Sequence, residues 1–180
     1  MTAHASSGHL DHMLRQTREH HVKLSAMADT KANMLLTASG LIITLSVRYL
    51  FDERLWVPAM VMMVFCALTI VLAIYAVMPK VNLHLRRRLA PDLRASTSNP
   101  LFFGDFVHLE YPEYLAAMEE VMADAYHTYE AQVREVYTLG RFLATRKYRY
   151  LRWAYLAFLA GVISSGAALA IVLLMHTRQV

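Results

Sequence analysis

WVPAMVMMVFCALTIVLAIYAVM, residues 56–78, is a run of 23 residues without a charge. As a helix it is long enough to cross about 30 Å of hydrocarbon, which takes roughly 20 residues at 1.5 Å each. WAYLAFLAGVISSGAALAIVLLM, residues 153–175, is a second such run of 23. Both begin with tryptophan, which favours the membrane–water boundary. A third run, Asn33 to Val47, is stopped by Arg48, and reaches Phe51 if that side chain snorkels to the headgroups. The fold class expected is an all-α membrane protein: three transmembrane helices with a cytosolic helical bundle built from their extensions. The segments are a tail and helix over residues 1–31, spans over 32–51, 56–78 and 153–175, a cytosolic region over 79–152 with a loop at 90–105, and a tail at 176–180.

Composition agrees with this reading. The chain is 57% hydrophobic and only 18% charged, and the apolar excess is gathered into these runs rather than spread as in a soluble core. Of 18 Lys and Arg, three (Arg48, Arg54, Arg178) flank one side of the spans and the other 15 flank the opposite side. Positive charge marks the cytoplasmic face, so the N-terminus is expected inside and the C-terminus in the periplasm. The net charge of +4 is then a topology signal and headgroup contact, with no DNA or RNA partner implied. About 30 polar residues precede the first run, which is not the layout of a signal peptide.

Chemistry-bearing sets are sparse. The single cysteine, Cys66, lies inside a span, so neither a disulfide framework nor a CxxC site is expected. His4, His9, His12, His20 and His21 crowd the N-terminus, but no cysteine or carboxylate pair completes a metal site. There is no nucleophile–base pair, P-loop or HExxH, so no catalytic residue and no cofactor is expected.

Helical patterning continues outside the spans. From His9 to Lys31 the apolar positions suit a helix that enters the first span with no Pro or Gly between. The loop 90–105 holds Leu101-Phe102-Phe103, adjacent aromatics that need a surface to pack on. After Pro112 and Glu113, suited to a first turn, a heptad runs through Leu115, Met118, Met122, Ala125, Tyr129, Gln132, Val136, Leu139, Leu143, Arg146, Tyr150 and Trp153. It predicts one long helix, or two joined near His127, passing unbroken into the third span. Arg146 sits where that seam calls for an apolar residue, either snorkelling to lipid phosphates or facing inward as an anion site. Asp29, Lys31 and Asn33 lie at the mouth of the first span, and Asn33, Thr37, Gly40 and Thr44 form a stripe down it. Such a stripe, like Ala157, Gly161 and Ser165 in the third span, is read as close helix packing or as a pore lining.

Four stretches together resemble a known family: Ala28 to Leu36 (ADTKANMLL), Asn99 to Asp105 (NPLFFGD), Glu113-Tyr114, and Ala144 to Tyr150 with its Arg-Lys-Tyr core. In this order around three spans they resemble the transmembrane effectors of Pycsar, the bacterial pyrimidine-cyclase antiphage system. The likeness covers roughly residues 20–175. It implies an inner-membrane effector activated by cyclic UMP or cyclic CMP from a neighbouring cyclase, which impairs the membrane and aborts infection. A homo-oligomer is expected. Some relatives carry an HD phosphohydrolase domain; this chain has none, nor a recognisable cyclic-nucleotide-binding barrel. For such a ligand Arg146 and Lys147, with Lys31 nearby, would hold the phosphate, Phe102 or Phe103 would stack on the base, and Asn99 or Asp105 would bond polar edges. The competing reading is a non-enzymatic membrane anchor that recruits a soluble partner through its cytosolic helix.

Overall fold

Between Ser7 and Ser46 no proline interrupts the chain, and one 40-residue helix, α1, forms in the computed structural model. The structure describes residues 7–78, 99–102, 106–107 and 109–177. Of the sequence-level expectations, Phe103, Asp105, most of the loop 90–105 and the Arg86-Arg87-Arg88 cluster lie outside these residues. A 3-10 turn, Val47–Phe51, ends α1. Asp52 then closes the connection, its carboxylate accepting from the backbone N–H of Arg54 at 2.9 Å and of Leu55 at 3.1 Å. Helix α2 is Trp56–Val77, with Pro58 in its first turn where no N–H is needed.

Helix α3, Tyr111–Met122, starts at Pro112, and the Glu113 carboxylate accepts from the Glu110 N–H at 3.2 Å. It stops at Ala123. Asp124 caps the next helix, α4 (Ala125–Phe142), by accepting from the Tyr126 N–H at 2.6 Å. The predicted long helix is thus two helices, and the joint falls at Ala123-Asp124, just ahead of His127. A π-helical turn, Leu143–Tyr148, leads from α4 into α5, Arg149–Thr177. Among the described residues there is no strand. Three stretches are long and apolar enough to cross a membrane, in Gly8–Phe51, Trp56–Val77 and Ala125–Thr177. The fold is an all-α membrane protein.

The chain divides into two compact units, residues 1–24 with 79–143 and residues 25–78 with 144–180. In the first, the polar unit, Leu14, Ala117, Ala131 and Leu143 are buried. Glu135 is buried with them at 7% exposure, which is tolerable because Arg18 Nε stands 3.1 Å from its carboxylate. The Tyr129 hydroxyl bonds Asp11, and that bond, with some desolvation, raises the Tyr129 pKa above its ordinary 10.0. The second, the span unit, has a core of Ala28, Ala32, Leu35, Ala73, Ala76, Leu151 and Ala154, with Leu72, Tyr148 and Phe158 against it. Small residues dominate because in a bilayer helices gain from close backbone approach, not from escaping water.

Candidate functional site

The spacing of buried residues around the π turn decides which cation enters the helix seam. Leu143, Lys147 and Leu151 follow one another four apart, and Ala154 three further on; all are buried except Lys147, whose side chain is 12% exposed. A regular α-helix advances about 40° for every four residues, so repeated fours drift off one face. A π turn takes more residues per revolution and removes the drift. The heptad read from sequence, with Arg146, Tyr150 and Trp153, is therefore displaced by one residue below the turn. Arg146 is exposed, as the snorkelling alternative requires and the inward-facing one does not, and Lys147 is the cation on the packed side.

Lys147 is already satisfied. Its Nζ lies 2.6 Å from the Asp29 carboxylate and donates to Ser25 Oγ at 2.8 Å. Asp29 belongs to the set picked out at the mouth of the first span, whereas Lys31 and Asn33 from the same set are exposed. Ser25 was missed in the sequence because a serine in an amphipathic helix carries no signal of its own. Tyr75 of α2 stacks on Tyr150 at 6.0 Å between ring centroids, so the three spans meet at this end in polar and aromatic contacts. At the other end Arg54 Nη1 approaches His176 Nε2 at 3.2 Å.

The two small-residue stripes have different fates. A Cβ on Gly161 would stand 2.5 Å from Phe65 Cβ, and the Ser165 hydroxyl donates to the Pro58 carbonyl at 2.9 Å. Gly161 and Ser165 therefore join α5 to α2 within one chain, and a larger residue at Gly161 would break this pair before any contact between copies. On α1 the reverse holds. Asn33, Thr37 and Thr44 are exposed, Thr44 Oγ1 donates only back to the Gly40 carbonyl at 3.0 Å, and nothing lies within 4 Å of where a Gly40 Cβ would be. Among the described residues, no other helix of the protomer packs on that face.

In the polar unit, Asn99 is 2% exposed and fully engaged. Its amide donates to the Ala131 carbonyl at 3.0 Å, and its carbonyl oxygen accepts from the Leu101 N–H at 3.0 Å. Asn99 pins residues 99–102 to α4, and a buried amide with both ends bonded is costly to divert to another partner. Phe102, next along, is half-buried. Phe106 packs on Tyr114 at 5.2 Å, so aromatic side chains of this region find a surface on α3. Among the described residues no group of three or more His, Cys, Asp or Glu is placed to hold a metal.

Neither a curated protein nor a solved structure matches the chain. The family model of the Pycsar effector protein domain matches residues 12–175, taking in both units and all three spans. A membrane protein of this build, matched over nearly its whole length, belongs to the Pycsar effector family, whose role lies in antiphage defence.

Proposed function

We propose that the protein is the inner-membrane executor of its Pycsar system, switched on by cyclic UMP or cyclic CMP from a neighbouring cyclase and then breaching the permeability barrier. The observation that carries this reading is the polar face of α1. Asn33, Thr37 and Thr44 are exposed on a helix otherwise apolar enough to span, and among the described residues no helix of the same protomer covers them. Polar side chains facing lipid are unfavourable, and a ring of copies that turned them towards a common axis would hydrate them. A homo-oligomer with the N-terminus in the cytoplasm and the C-terminus in the periplasm is part of the proposal.

A messenger acts only by binding one arrangement of helices better than another. The Lys147–Asp29 pair, in the π turn at the mouth of the spans, is the contact we assign to the resting arrangement. In this proposal Phe102 is the stacking surface for the base and Phe103 and Asp105 are ligand contacts, while Asn99 anchors residues 99–102 on the Ala131 carbonyl. The test is release of a self-quenched dye from liposomes that contain the purified protein. Cyclic UMP or cyclic CMP should trigger release and cyclic AMP should not, and Thr37→Leu with Thr44→Leu should slow it severalfold. No release with either pyrimidine nucleotide refutes the proposal; equal release by the double variant refutes the α1 lining.

A further inference from the structure

The two ends of the span unit differ in charge. At the end where Ser25, Tyr75 and Tyr150 lie, residues 25–35 and 144–155 contain Lys31, Arg146, Lys147, Arg149 and Arg152 against the single acid Asp29, a net charge of +4. At the other end, residues 47–56 contain Arg48 and Arg54 against Asp52 and Glu53, and residues 172–180 add Arg178, a net charge of +1 that leaves this end close to neutral. Asp29 is taken by Lys147. Arg146, Arg149 and Arg152 are all exposed, and no carboxylate pairs with any of them among the described residues. Arg149 lies over the Tyr150 ring, 5.5 Å from its centroid.

Trp153 follows directly, 57% exposed at the start of the apolar run, and Tyr155 and Tyr75 are exposed beside it at 43% and 48%. Amphipathic rings of this kind sit at headgroup depth. Three guanidiniums with no carboxylate partner among the described residues, directly above such a belt, stand at the height of lipid phosphates, and a guanidinium matches a phosphate with two parallel hydrogen bonds. We infer that Arg146, Arg149 and Arg152 form a collar that gathers anionic phospholipid around the third span, and that this selectivity is confined to one end of the bundle.

The inference rests on the membrane reading of the fold and not on nucleotide activation, so its test uses no messenger. The chain has two tryptophans, one at each end, with Trp56 46% exposed at the nearly neutral end. Trp56→Phe leaves Trp153 as the reporter and Trp153→Phe leaves Trp56. The full chain is reconstituted in phosphatidylcholine bilayers containing a minor fraction of phosphatidylglycerol brominated in its acyl chains, which quenches nearby indoles. Trp153 should be quenched well beyond the level random mixing gives, and Trp56 at that level. Each arginine changed to glutamine should lower the enrichment at Trp153 about fivefold, and Arg48→Gln at the nearly neutral end should leave it intact. Equal quenching of the two tryptophans, which needs no arginine variant to fold, overturns the inference. So does enrichment that survives the triple change, or enrichment abolished by inorganic phosphate or cyclic UMP but not by sodium chloride at the same ionic strength, which would make this a site for a soluble anion.

Discussion

Lys147 and Arg146 are adjacent, yet one is held on the packed side of the span unit and the other lies outside. The lysine side chain is 12% exposed and Asp29 is 43% exposed, so their attraction is screened less than that of a fully surface pair. A double-mutant cycle of Lys147→Met and Asp29→Asn should give a coupling of about 1–2 kcal/mol, above the 0.2–1 kcal/mol or so of exposed pairs. Arg146→Leu should change stability by less than about 0.5 kcal/mol, as surface changes do. Unfolding of the detergent-solubilised variants measures both. A coupling near zero would mean that Lys147 is held by packing of its stem alone. That some cation interrupts the seam was legible in the order of residues; which one was not, because the answer turns on a single-residue shift in helical phase.

The shift belongs to the element, and its source is the turn Leu143–Tyr148. The sequence LATRKY contains neither Gly nor Pro and reads as ordinary helix. The spacing hides the turn as well, since fours and threes both fit a helix locally and only the run of fours through Leu143, Lys147 and Leu151 marks it. Removing one exposed residue inside the turn, Ala144, would bring that run back to alternating fours and threes on a regular α-helix. Turns of this kind are seldom kept without use, because their hydrogen bonds are poorer than those of the helix they interrupt. The expected outcome is a chain that inserts and unfolds at a temperature no lower than wild type, but whose nucleotide-triggered dye release is lost. Retained release would make the turn a packing feature with no part in switching. Element ends, by contrast, were readable: Pro112 with Glu113 start α3, and Asp124 caps α4 at the joint near His127.

For the whole molecule, charge sets direction. The end of the span unit with net charge +4 should face the cytoplasm and the nearly neutral end, at +1, the periplasm, since lysines and arginines near span ends resist translocation. A reporter enzyme active only outside the cytoplasm should work when fused after Val180 and fail when fused at Ala95. Changing Arg146, Arg149 and Arg152 together to Gln should weaken that contrast. Activity at both fusion points, or at Ala95 alone, would rule out the three-span orientation.

The three spans, the apolar character of the fold and the likeness to the effector family were determined by the sequence itself. Each depends on a long run or an ordered set of motifs, and hydrocarbon thickness reads such runs without reference to neighbours. Tertiary structure decided what single side chains do. Asn99 is a buried clasp on the Ala131 carbonyl, and of the packing and pore-lining readings of Gly161 the packed helices favour packing, with Phe65 seated on it. Asparagine and glycine look the same in sequence whether they face a ligand, a lipid or a neighbouring helix. The difference lies in which neighbouring group, the Ala131 carbonyl for one and the Phe65 side chain for the other, comes close to them, and only the packed helices set that.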